Sequence, residues 1–336
     1  MMNTEIQATT IEQFTQIVYQ STTKRYAHFS NASVEKELID KEIEVFSRIS
    51  GYLDYLLVLK GLVEAVKANS IPVGPGYGAS PASIVAYCLG ITGIDPVGND
   101  SRFEQFAEKG QTTFPAITLE FGGRGVAFAY KYLQDTLGAG KVARLMIAPG
   151  FLTCTHIVFS LGELQEIVPV YLEESEGDSF STVRKYDLRR NCKGQAFLVT
   201  VLVNWHLDEI GTSLELIERH HHIEIRPEDI PLDDEDTFAL FSSGDTACIP
   251  YYDVKRVQMY LKELHPCGFK DLMAILEDAH GSLPFRAHCI CRTLTSYLMA
   301  WIKAHYRNEF HMARMIIARR RRKVNMGSED PFRFKY

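Results

Sequence analysis

The stretch Ile71-Pro-Val-Gly-Pro-Gly-Tyr-Gly-Ala-Ser-Pro81 carries the strongest information about the fold. Ile71–Val73 predicts a short strand, and the glycines after it predict a tight loop. Ser80 suits a helix N-cap and Pro81 a first helical position, so a helix is expected to continue through Ile84–Leu89. A strand, a glycine loop and a capped helix make a phosphate cradle, because N–H groups at a helix start face an anion. Taken alone, the same residues are more typical of a simple turn.

Helical and strand patterns alternate on both sides of this loop. Helical periodicity covers Ile11–Thr22 and Ser33–Lys60, with Asn31 or Ser33 as the cap of the second segment and Gly51 as a junction of two helices. Downstream, Glu173–Asp178 predicts an acidic loop. Strands are expected at Ile117–Phe121, Val142–Ala148 and Ala196–Val203, and helices at Gly61–Asn69, Val126–Leu137, Thr212–His222, Thr237–Phe241, Lys255–Leu264, Phe269–Glu277 and Cys291–Val324.

Composition excludes several classes of protein. The 336 residues include 36 Lys and Arg and 42 Asp and Glu, and the net charge of −6 excludes a wholly basic nucleic-acid coat. The hydrophobic share of 46% is enough for a sizeable core. The longest apolar run, Ala196–Val203, is far shorter than the roughly 18 residues of a membrane span. The N-terminus resembles no signal peptide, and the seven scattered cysteines predict reduced thiols and a cytoplasmic location.

The context of the glycine loop is more specific than the loop itself. It is followed by Val85-Ala-Tyr-Cys-Leu-Gly-Ile-Thr-Gly-Ile-Asp-Pro96 and by Phe103-Glu-Gln-Phe106. Together these segments resemble the palm of bacterial DNA polymerase III alpha subunits, the C-type replicative polymerases. That family carries a Gly-Pro-Gly-Arg-Gly-Ser loop, a Val-Ala-Tyr helix, an Ile-Asp-Pro turn and a Phe-Glu-Arg-Phe segment in this order. Downstream, Ile230–Asp234 and Ala300-Trp-Ile-Lys-Ala-His-Tyr306 resemble the fingers of the same family.

The resemblance implies the fold class and the domain organisation. The expected fold is α/β (α+β), a polymerase-beta-like nucleotidyltransferase palm with a mixed sheet flanked by helices, plus a helical fingers remnant. We expect the first part of the palm over residues 1–148, a reduced thumb-like insertion over 149–190, a palm strand over 191–205 and the fingers-like remnant over 206–336. The resemblance also implies a shortened relative, without the family's N-terminal phosphoesterase-like domain, most of its thumb or its C-terminal subunit-binding regions.

The first strand of catalytic carboxylates departs from the family pattern. These polymerases hold two Mg²⁺ ions with acidic side chains, in a Pro-Asp-x-Asp-x-Asp-Phe motif and on a neighbouring strand. Here the motif is Pro115-Ala-Ile-Thr-Leu-Glu-Phe121. Its first two acidic positions are Ala116 and Thr118, and only Glu120 remains. Glu120 is either a lone remnant ligand or a solvated strand residue.

The neighbouring strand has lost its acid as well. Ala196–Val203 contains no carboxylate, and Thr200 falls at the third catalytic position in one alignment, while another alignment deletes the segment. The resemblance therefore predicts no catalytic residue, no metal site and no cofactor.

The glycine loop has also drifted from the family. The family's Arg and Ser are replaced by Tyr77 and Ala79, which removes a phosphate-contacting cation and a hydroxyl. The candidate phosphate- or nucleotide-binding residues that remain are Gly74, Gly76, Gly78, Ser80 and Ser83, the two serines compensating only in part.

Other polar clusters have simpler interpretations. Asp95 and Asp100, and the acidic run Asp233–Asp236, favour helix capping over metal binding. Three adjacent histidines, His220–His222, cannot all face one ion and are expected to end a helix. His288-Cys289-Ile290-Cys291 lacks the second ligand pair of a zinc site.

A basic run at Arg319, Arg320, Arg321, Arg322 and Lys323 is the candidate DNA-binding segment. It lies near the end of the last predicted helix, where positive charge also complements the helix dipole. Concentrated positive charge in a net acidic chain indicates a polyanion partner, although a solvated helix end is slightly favoured.

Three functions are compatible with these patterns. The first is a catalytically inactive DNA polymerase III alpha-like protein of replication or repair that binds DNA, nucleotide or a replication partner. The second is an active nucleotidyltransferase with relocated ligands, built on Glu120 and Asp95, for which Mg²⁺ is the cofactor. The third is a structural or assembly protein without a nucleic-acid role. None of the three involves a membrane.

Overall fold

The chain divides into two units, Met1–Val203 and Asn204–Tyr336. In a computed structural model the described residues are 9–26, 33–99, 101–107, 116–146, 154–175, 178–191, 195–280 and 286–327. Within these ranges every helix is too short or too polar to cross a bilayer.

A six-stranded mixed sheet forms the centre of the first unit. Its spatial order is β1-β6-β3-β2-β5-β4. The pairs β1–β6 and β2–β5 are parallel, and the other neighbours are antiparallel. The strands are β1 (Ile117–Phe121), β2 (Val142–Met146), β3 (Cys154–Ser160), β4 (Tyr171–Ser175), β5 (Asp178–Arg184) and β6 (Ala196–Val203).

The helices of this unit begin at the polar caps that the sequence provides. Thr10 and Gln13 form a capping box on the first helix, and Ser33 caps the second. Gly51, with φ +70°, separates the second and third helices. The six helices are α1 (Ile11–Thr22), α2 (Val34–Ser47), α3 (Tyr52–Ala68), α4 (Ile84–Cys88), α5 (Gly125–Leu137) and α6 (Lys185–Asn191), as far as the residues are described.

Tyr55 ties α3 to the sheet. Its ring is fully buried and lies 5.8 Å, centroid to centroid, from the rings of both Phe159 and Phe197. Its hydroxyl accepts a hydrogen bond from the backbone N–H of Ile117 and donates one to the carbonyl of Leu198, each at 2.9 Å. One buried polar atom therefore satisfies backbone groups at the start of two neighbouring strands.

The glycine loop differs locally from the expected strand and helix. Val73 makes only an isolated bridge to Phe121 rather than part of a strand. Ser80–Ala82 is a single 3-10 turn, and Ser83, not Ser80, caps α4. The prediction of a separate helix from Gly61 was also wrong, since α3 continues through that glycine to Ala68.

The segment after β2 contains three strands that periodicity did not predict. Glu173–Ser175 belongs to β4 and Asp178 begins β5, so the expected acidic loop over Glu173–Asp178 was wrong for these residues. Only β4 is an edge strand, while β3 and β5 lie inside the sheet with a neighbour on each side. All three strands, β3 to β5, join the central sheet.

The second unit is entirely helical where it is described. Its helices are α7 (Trp205–His221), α8 (Glu235–Ser243), α9 (Lys255–Leu264), α10 (Phe269–His280), α11 (Arg286–His305) and α12 (Arg307–Gly327). Asp234 caps α8 by accepting from the N–H of Thr237, and Gly244 ends that helix with φ +70°.

The single long helix expected over Cys291–Val324 is two helices that meet at Tyr306. No glycine or proline marks the break, so the apolar spacing continues across it. The junction places Lys303 of α11 and Arg307 of α12 on the same carboxylate, that of Asp245. Lys303 is buried, and its Nζ also donates to the carbonyls of Asp245 and Ala247.

Candidate functional site

Two threonines occupy neighbouring positions on the parallel strands β1 and β6. Thr118 is the Cα partner of Thr200. Both are half-buried, whereas Ile117 and Leu119 on β1 and Val199 on β6 are buried. Alternation along a strand therefore puts the two threonines on the less covered face of the sheet, opposite the apolar one. Ala116 is exposed and lies just before β1. The three positions at which the family motif predicts lost carboxylates, Ala116, Thr118 and Thr200, therefore all lie on or beside the pair β1–β6.

The next strand across the sheet adds a histidine to this row. His156 of β3 is the Cα partner of Thr200, and its Nδ1 lies 2.6 Å from Thr200 Oγ1. Burial lowers the pKa of His156, and the positive charge of Lys185 acts in the same direction. His156 is thus favoured in its neutral form. We call Thr118, Thr200 and His156 the palm-face row.

Glu120 lies on the same face of β1 but is held against the glycine loop. Its carbonyl accepts from the N–H of Gly74 at 2.7 Å. A Cβ on Gly74 would lie 2.5 Å from Glu120 Oε2, so glycine is required for this close approach. The carboxylate of this half-buried residue therefore lies beside the glycine loop.

The loop glycines are accounted for by backbone geometry. Gly76 is buried, has φ +121°, and a Cβ there would lie 2.8 Å from Pro81 Cγ. Gly78 has φ +67°, and the space around its Cβ position is open. The N–H of Gly93 donates to the carbonyl of Pro75, closing the loop. Of the three candidate glycines, Gly78 alone has free space beside it.

The two candidate serines have protein partners. Ser80 is buried, and its hydroxyl donates to the carbonyl of Tyr77 at 3.0 Å. Ser83 is fully buried and donates to Glu42 Oε2 at 2.6 Å. Ser83 is therefore better explained as a helix cap than as a phosphate ligand.

Glu42 is a buried carboxylate at the start of α4. Besides the Ser83 hydroxyl, it accepts from the N–H groups of Ile84 and Val85 at 3.0 and 3.1 Å. Burial raises the pKa of Glu42 to about 7, although these three donors act in the opposite direction. The residue anchors α4 beneath the glycine loop and was not singled out by the sequence.

The other candidate acids are engaged in the fold. Asp95 accepts from the hydroxyl of Tyr26 at 2.5 Å and from the N–H of Val97 at 3.0 Å. Asp234 accepts from Thr237 and contacts His305. Asp100 lies outside the described residues.

The residues at the sheet edge do not fit the two Mg²⁺ ions of polymerase chemistry. The matched positions supply a methyl group and two hydroxyls, and these are poor ligands for a hard divalent cation. No group of three or more His, Cys, Asp or Glu side chains suited to a metal occurs in the described part of the chain. No step of any reaction is therefore assigned to a metal here.

The histidine and cysteine clusters have structural partners. His220 Nδ1 and His221 Nε2 both contact Oε1 of the buried Glu309, at 3.1 and 3.2 Å. The helix ends at His221, and His222 follows in a left-handed conformation. Buried Cys289 donates to the carbonyl of Met273, while the side chain of His288 lies outside the described residues.

The basic run lies on the last helix, α12. Arg319, Arg320, Arg321 and Arg322 are all exposed, and the side chain of Lys323 is outside the described ones. The Arg321 guanidinium lies 5.8 Å from the ring centroid of Trp205 on α7. Four successive residues point around the helix rather than along one face. Arg319, Arg320 and Arg322 are the three described members without that aromatic contact.

Comparison with protein families gives two matches. Residues 12–153 match the model described as "Bacterial DNA polymerase III alpha NTPase domain", and residues 206–277 match "Bacterial DNA polymerase III alpha subunit finger domain". The first range contains the glycine loop and β1, and the second begins with α7.

Curated relatives give the same family. The DNA polymerase III subunit alpha of Staphylococcus aureus strain COL is 25% identical over 318 residues, covering 73% of this chain and 29% of the relative. The protein of the same name from Staphylococcus epidermidis strain RP62A is 26% identical over 298 residues, covering 67% and 27%. The chain thus spans less than a third of the length of these relatives. With the mixed palm-like sheet and the helical second unit, these matches show that the chain is a homologue of the bacterial DNA polymerase III alpha subunit.

Proposed function

We propose that this DNA polymerase III alpha-like chain serves DNA replication or repair without catalysing nucleotidyl transfer, by binding DNA, nucleotide or a replication partner. The observation that carries the proposal is the register of Thr118 with Thr200. In the family pattern Thr118 stands at one aspartate that holds Mg²⁺ ions, and Thr200 stands at another in one of two alignments. A pair of neutral hydroxyls there provides neither the charge nor the ligands for two-metal catalysis.

The alternative of an active enzyme with relocated ligands has little support. Asp95 already accepts from Tyr26 and Val97, and the carboxylate of Glu120 is held close to Gly74. Redirecting either side chain toward a metal would break local contacts. Mg²⁺ remains a cofactor only under this alternative.

Primer extension tests the loss of catalysis directly. The chain is incubated with primed DNA, the four deoxynucleoside triphosphates and either Mg²⁺ or Mn²⁺. We expect no template-directed incorporation with either ion. Incorporation that disappears in Glu120→Gln but persists in the matched variant Glu44→Gln, an exposed residue of α2, would overturn the proposal in favour of relocated ligands.

The basic run on α12 is the proposed DNA contact. Charged side chains that bind phosphates release counterions, so the affinity falls steeply with salt. Replacing Arg319, Arg320 and Arg322 with Gln should reduce the slope of log affinity against log salt by up to about 3. Anisotropy with primed and single-stranded DNA measures this slope.

A matched control lies in the same unit. Lys255, Arg256 and Lys262 are exposed on or near α9, and their replacement with Gln should leave the slope within about 1 of the unmodified chain. Equal effects of the two triple variants would contradict a specific contact at the basic run. Absence of DNA binding in the unmodified chain would favour the assembly-protein alternative.

The remaining assignments are proposals of the same kind. We propose palm over residues 1–148 and 191–205, a reduced thumb-like insertion over 149–190 and fingers over 206–336. The insertion is not a separate thumb in its strands, since β3, β4 and β5 belong to the same sheet as the palm strands. We also propose a cytoplasmic location, supported by the dispersed cysteines. In the described residues Cys88, Cys248, Cys267, Cys289 and Cys291 form no disulfide.

A further inference from the structure

The palm-face row offers hydrogen-bond donors, whereas a carboxylate metal site offers only acceptors. Thr118 of β1, Thr200 of β6 and His156 of β3 lie side by side across three adjacent strands, as the registers Thr118–Thr200 and Thr200–His156 show. Each is half-buried. An ionised carboxylate accepts hydrogen bonds but donates none, whereas hydroxyl and imidazole groups also donate them. The chemistry of this face is therefore opposite to that of a cation site.

The contact between His156 and Thr200 keeps a donor available in every protonation state. If Thr200 donates to Nδ1, the neutral imidazole carries its proton on Nε2. If Nδ1 carries the proton and donates, the Thr200 hydroxyl has its own hydrogen to offer. The 2.6 Å contact fixes the two side chains relative to each other, so that a ligand meets a preformed pair.

The charges around the row suit an anion better than a cation. Lys185, at the start of α6, is exposed and near enough to lower the pKa of His156 by its charge. Glu120 is the nearest acid along β1, but its carboxylate lies against Gly74, and the N–H of Gly74 donates to its carbonyl. An arriving phosphate therefore does not meet the cluster of negative charge that a two-metal site presents before its ions bind.

We propose that the palm-face row binds phosphate oxygens directly, without a divalent cation. The proposal deepens the proposed function, on which it rests, by naming the ligand chemistry of the palm. The phosphate belongs either to a nucleoside triphosphate or to the DNA backbone. Hydrogen bonds from Thr118, Thr200 and His156, with the charge of Lys185, replace the metal bridge between protein and phosphate.

Direct binding predicts an unusual response to Mg²⁺. A carboxylate site requires the cation to attract a phosphate. A donor site competes with the cation for the same phosphate oxygens, so added Mg²⁺ should leave the affinity unchanged or lower it.

The test uses calorimetric titration of the full chain with inorganic pyrophosphate and with dTTP, each in EDTA and in Mg²⁺. The unmodified chain should bind in EDTA. Thr200→Val and Thr118→Val should each weaken binding about tenfold, since each removes a donor to a charged ligand. The control is Thr155→Val, the same change on β3 but on the opposite face of the sheet. Circular dichroism of each variant checks the fold, and His156→Gln provides a second variant that retains a donor.

The outcomes separate this inference from the function on which it rests. Binding about tenfold weaker in both threonine variants, with Thr155→Val unchanged, supports phosphate binding by the palm-face row. Binding that strictly requires Mg²⁺, no binding of either probe, or equal affinities in all variants would overturn it. DNA binding without pyrophosphate binding would refute phosphate binding by the palm-face row and would leave the proposed function intact. Pyrophosphate or dTTP binding that primed DNA does not displace assigns the row to a nucleotide, and displacement by DNA assigns it to the backbone.

Discussion

Thr118 and Thr200 are Cα partners across the parallel pair β1–β6, on the less covered face of the sheet. Neighbouring strands lie about 4.8 Å apart, which sets the scale of the separation between these two side chains. Two carboxylates at that separation can share a divalent ion, whereas two hydroxyls do not bind one tightly. The strand pairing therefore brings two hydroxyl groups together at positions that would suit a shared ion if both residues were carboxylates.

Restoring the carboxylates should restore cation binding. We expect the triple variant Ala116→Asp, Thr118→Asp and Thr200→Asp to bind Mn²⁺ at least about tenfold more tightly than the unmodified chain, because hard cations prefer carboxylate oxygens. Electron paramagnetic resonance of free Mn²⁺ measures the affinity. Ala116→Asp alone is the control, since a single exposed acid should add little. A triple variant no better than this control would argue against convergence of the three positions.

Glu42 should make the first unit less stable as pH rises. Its folded-state pKa of about 7 lies above the ordinary 4.5, so the folded chain binds a proton more readily than the unfolded chain. The contribution to stability is fully present below about pH 4.5 and is lost as pH rises through about 7, amounting to about 3 kcal/mol. Glu42→Gln does not titrate, and the stability difference between unmodified chain and variant should shrink over this window.

Hydrogen exchange of α4 amides at about pH 5 and about pH 7.5, corrected for intrinsic rates, measures this difference. Glu44→Gln, on α2 like Glu42, removes an exposed carboxylate, and its α4 amides should exchange as in the unmodified chain. A Glu42→Gln difference that is constant across the window would show that this carboxyl does not titrate there.

Tyr55→Phe should weaken the junction of α3 with the sheet. The variant leaves the N–H of Ile117 and the carbonyl of Leu198 without their buried partner, at a cost of about 1–3 kcal/mol. Faster exchange of the Ile117 amide reports the loss. Tyr19→Phe, whose hydroxyl contacts Asp40 at the surface, should cost under about 1 kcal/mol. Equal costs for the two variants would mean that burial of the Tyr55 hydroxyl contributes nothing.

Lys303 and Arg307 share Asp245 but differ in exposure, with side chains 2% and 57% exposed. Lys303→Met leaves the carbonyls of Asp245 and Ala247 without their donor and should cost about 1–3 kcal/mol. Arg307→Met breaks only an exposed pair and should cost under about 1 kcal/mol. Both tryptophans, Trp205 and Trp301, lie in the second unit, so urea unfolding followed by their fluorescence isolates it. The reverse ranking would contradict the burial argument.

Local sequence signals predicted the elements with strong periodicity or caps. Ser33, Gly51 and the alternation of Ile117–Phe121 gave α2, the α2–α3 junction and β1. The same signals failed where contacts with distant parts of the chain determine the local structure. Ile71–Val73 has strand-forming residues but pairs at one bridge only, and α11 and α12 separate without a helix breaker.

The resemblance to the family singled out Ala116 and Thr118 by their motif, and Thr200 by its place on a neighbouring strand in one of two alignments. The loss of a metal site at these positions stays a prediction. His156 belongs to no motif and lies 44 residues from Thr200 along the chain, so only strand pairing reveals it. Glu42, 41 residues from Ser83, was missed for the same reason.

The sequence by itself determined which residues stand at the spaced positions of the glycine loop and of the segment Pro115–Phe121, because these are properties of residue identity. The tertiary structure decided which side chains lie beside these positions. The sheet order puts β3 beside β6, which brings a histidine and two threonines into one row, and close packing turns Glu120 toward Gly74. Contacts between distant segments depend on which strands pair and in which register. Neither the pairing nor the register can be read from a local stretch of sequence.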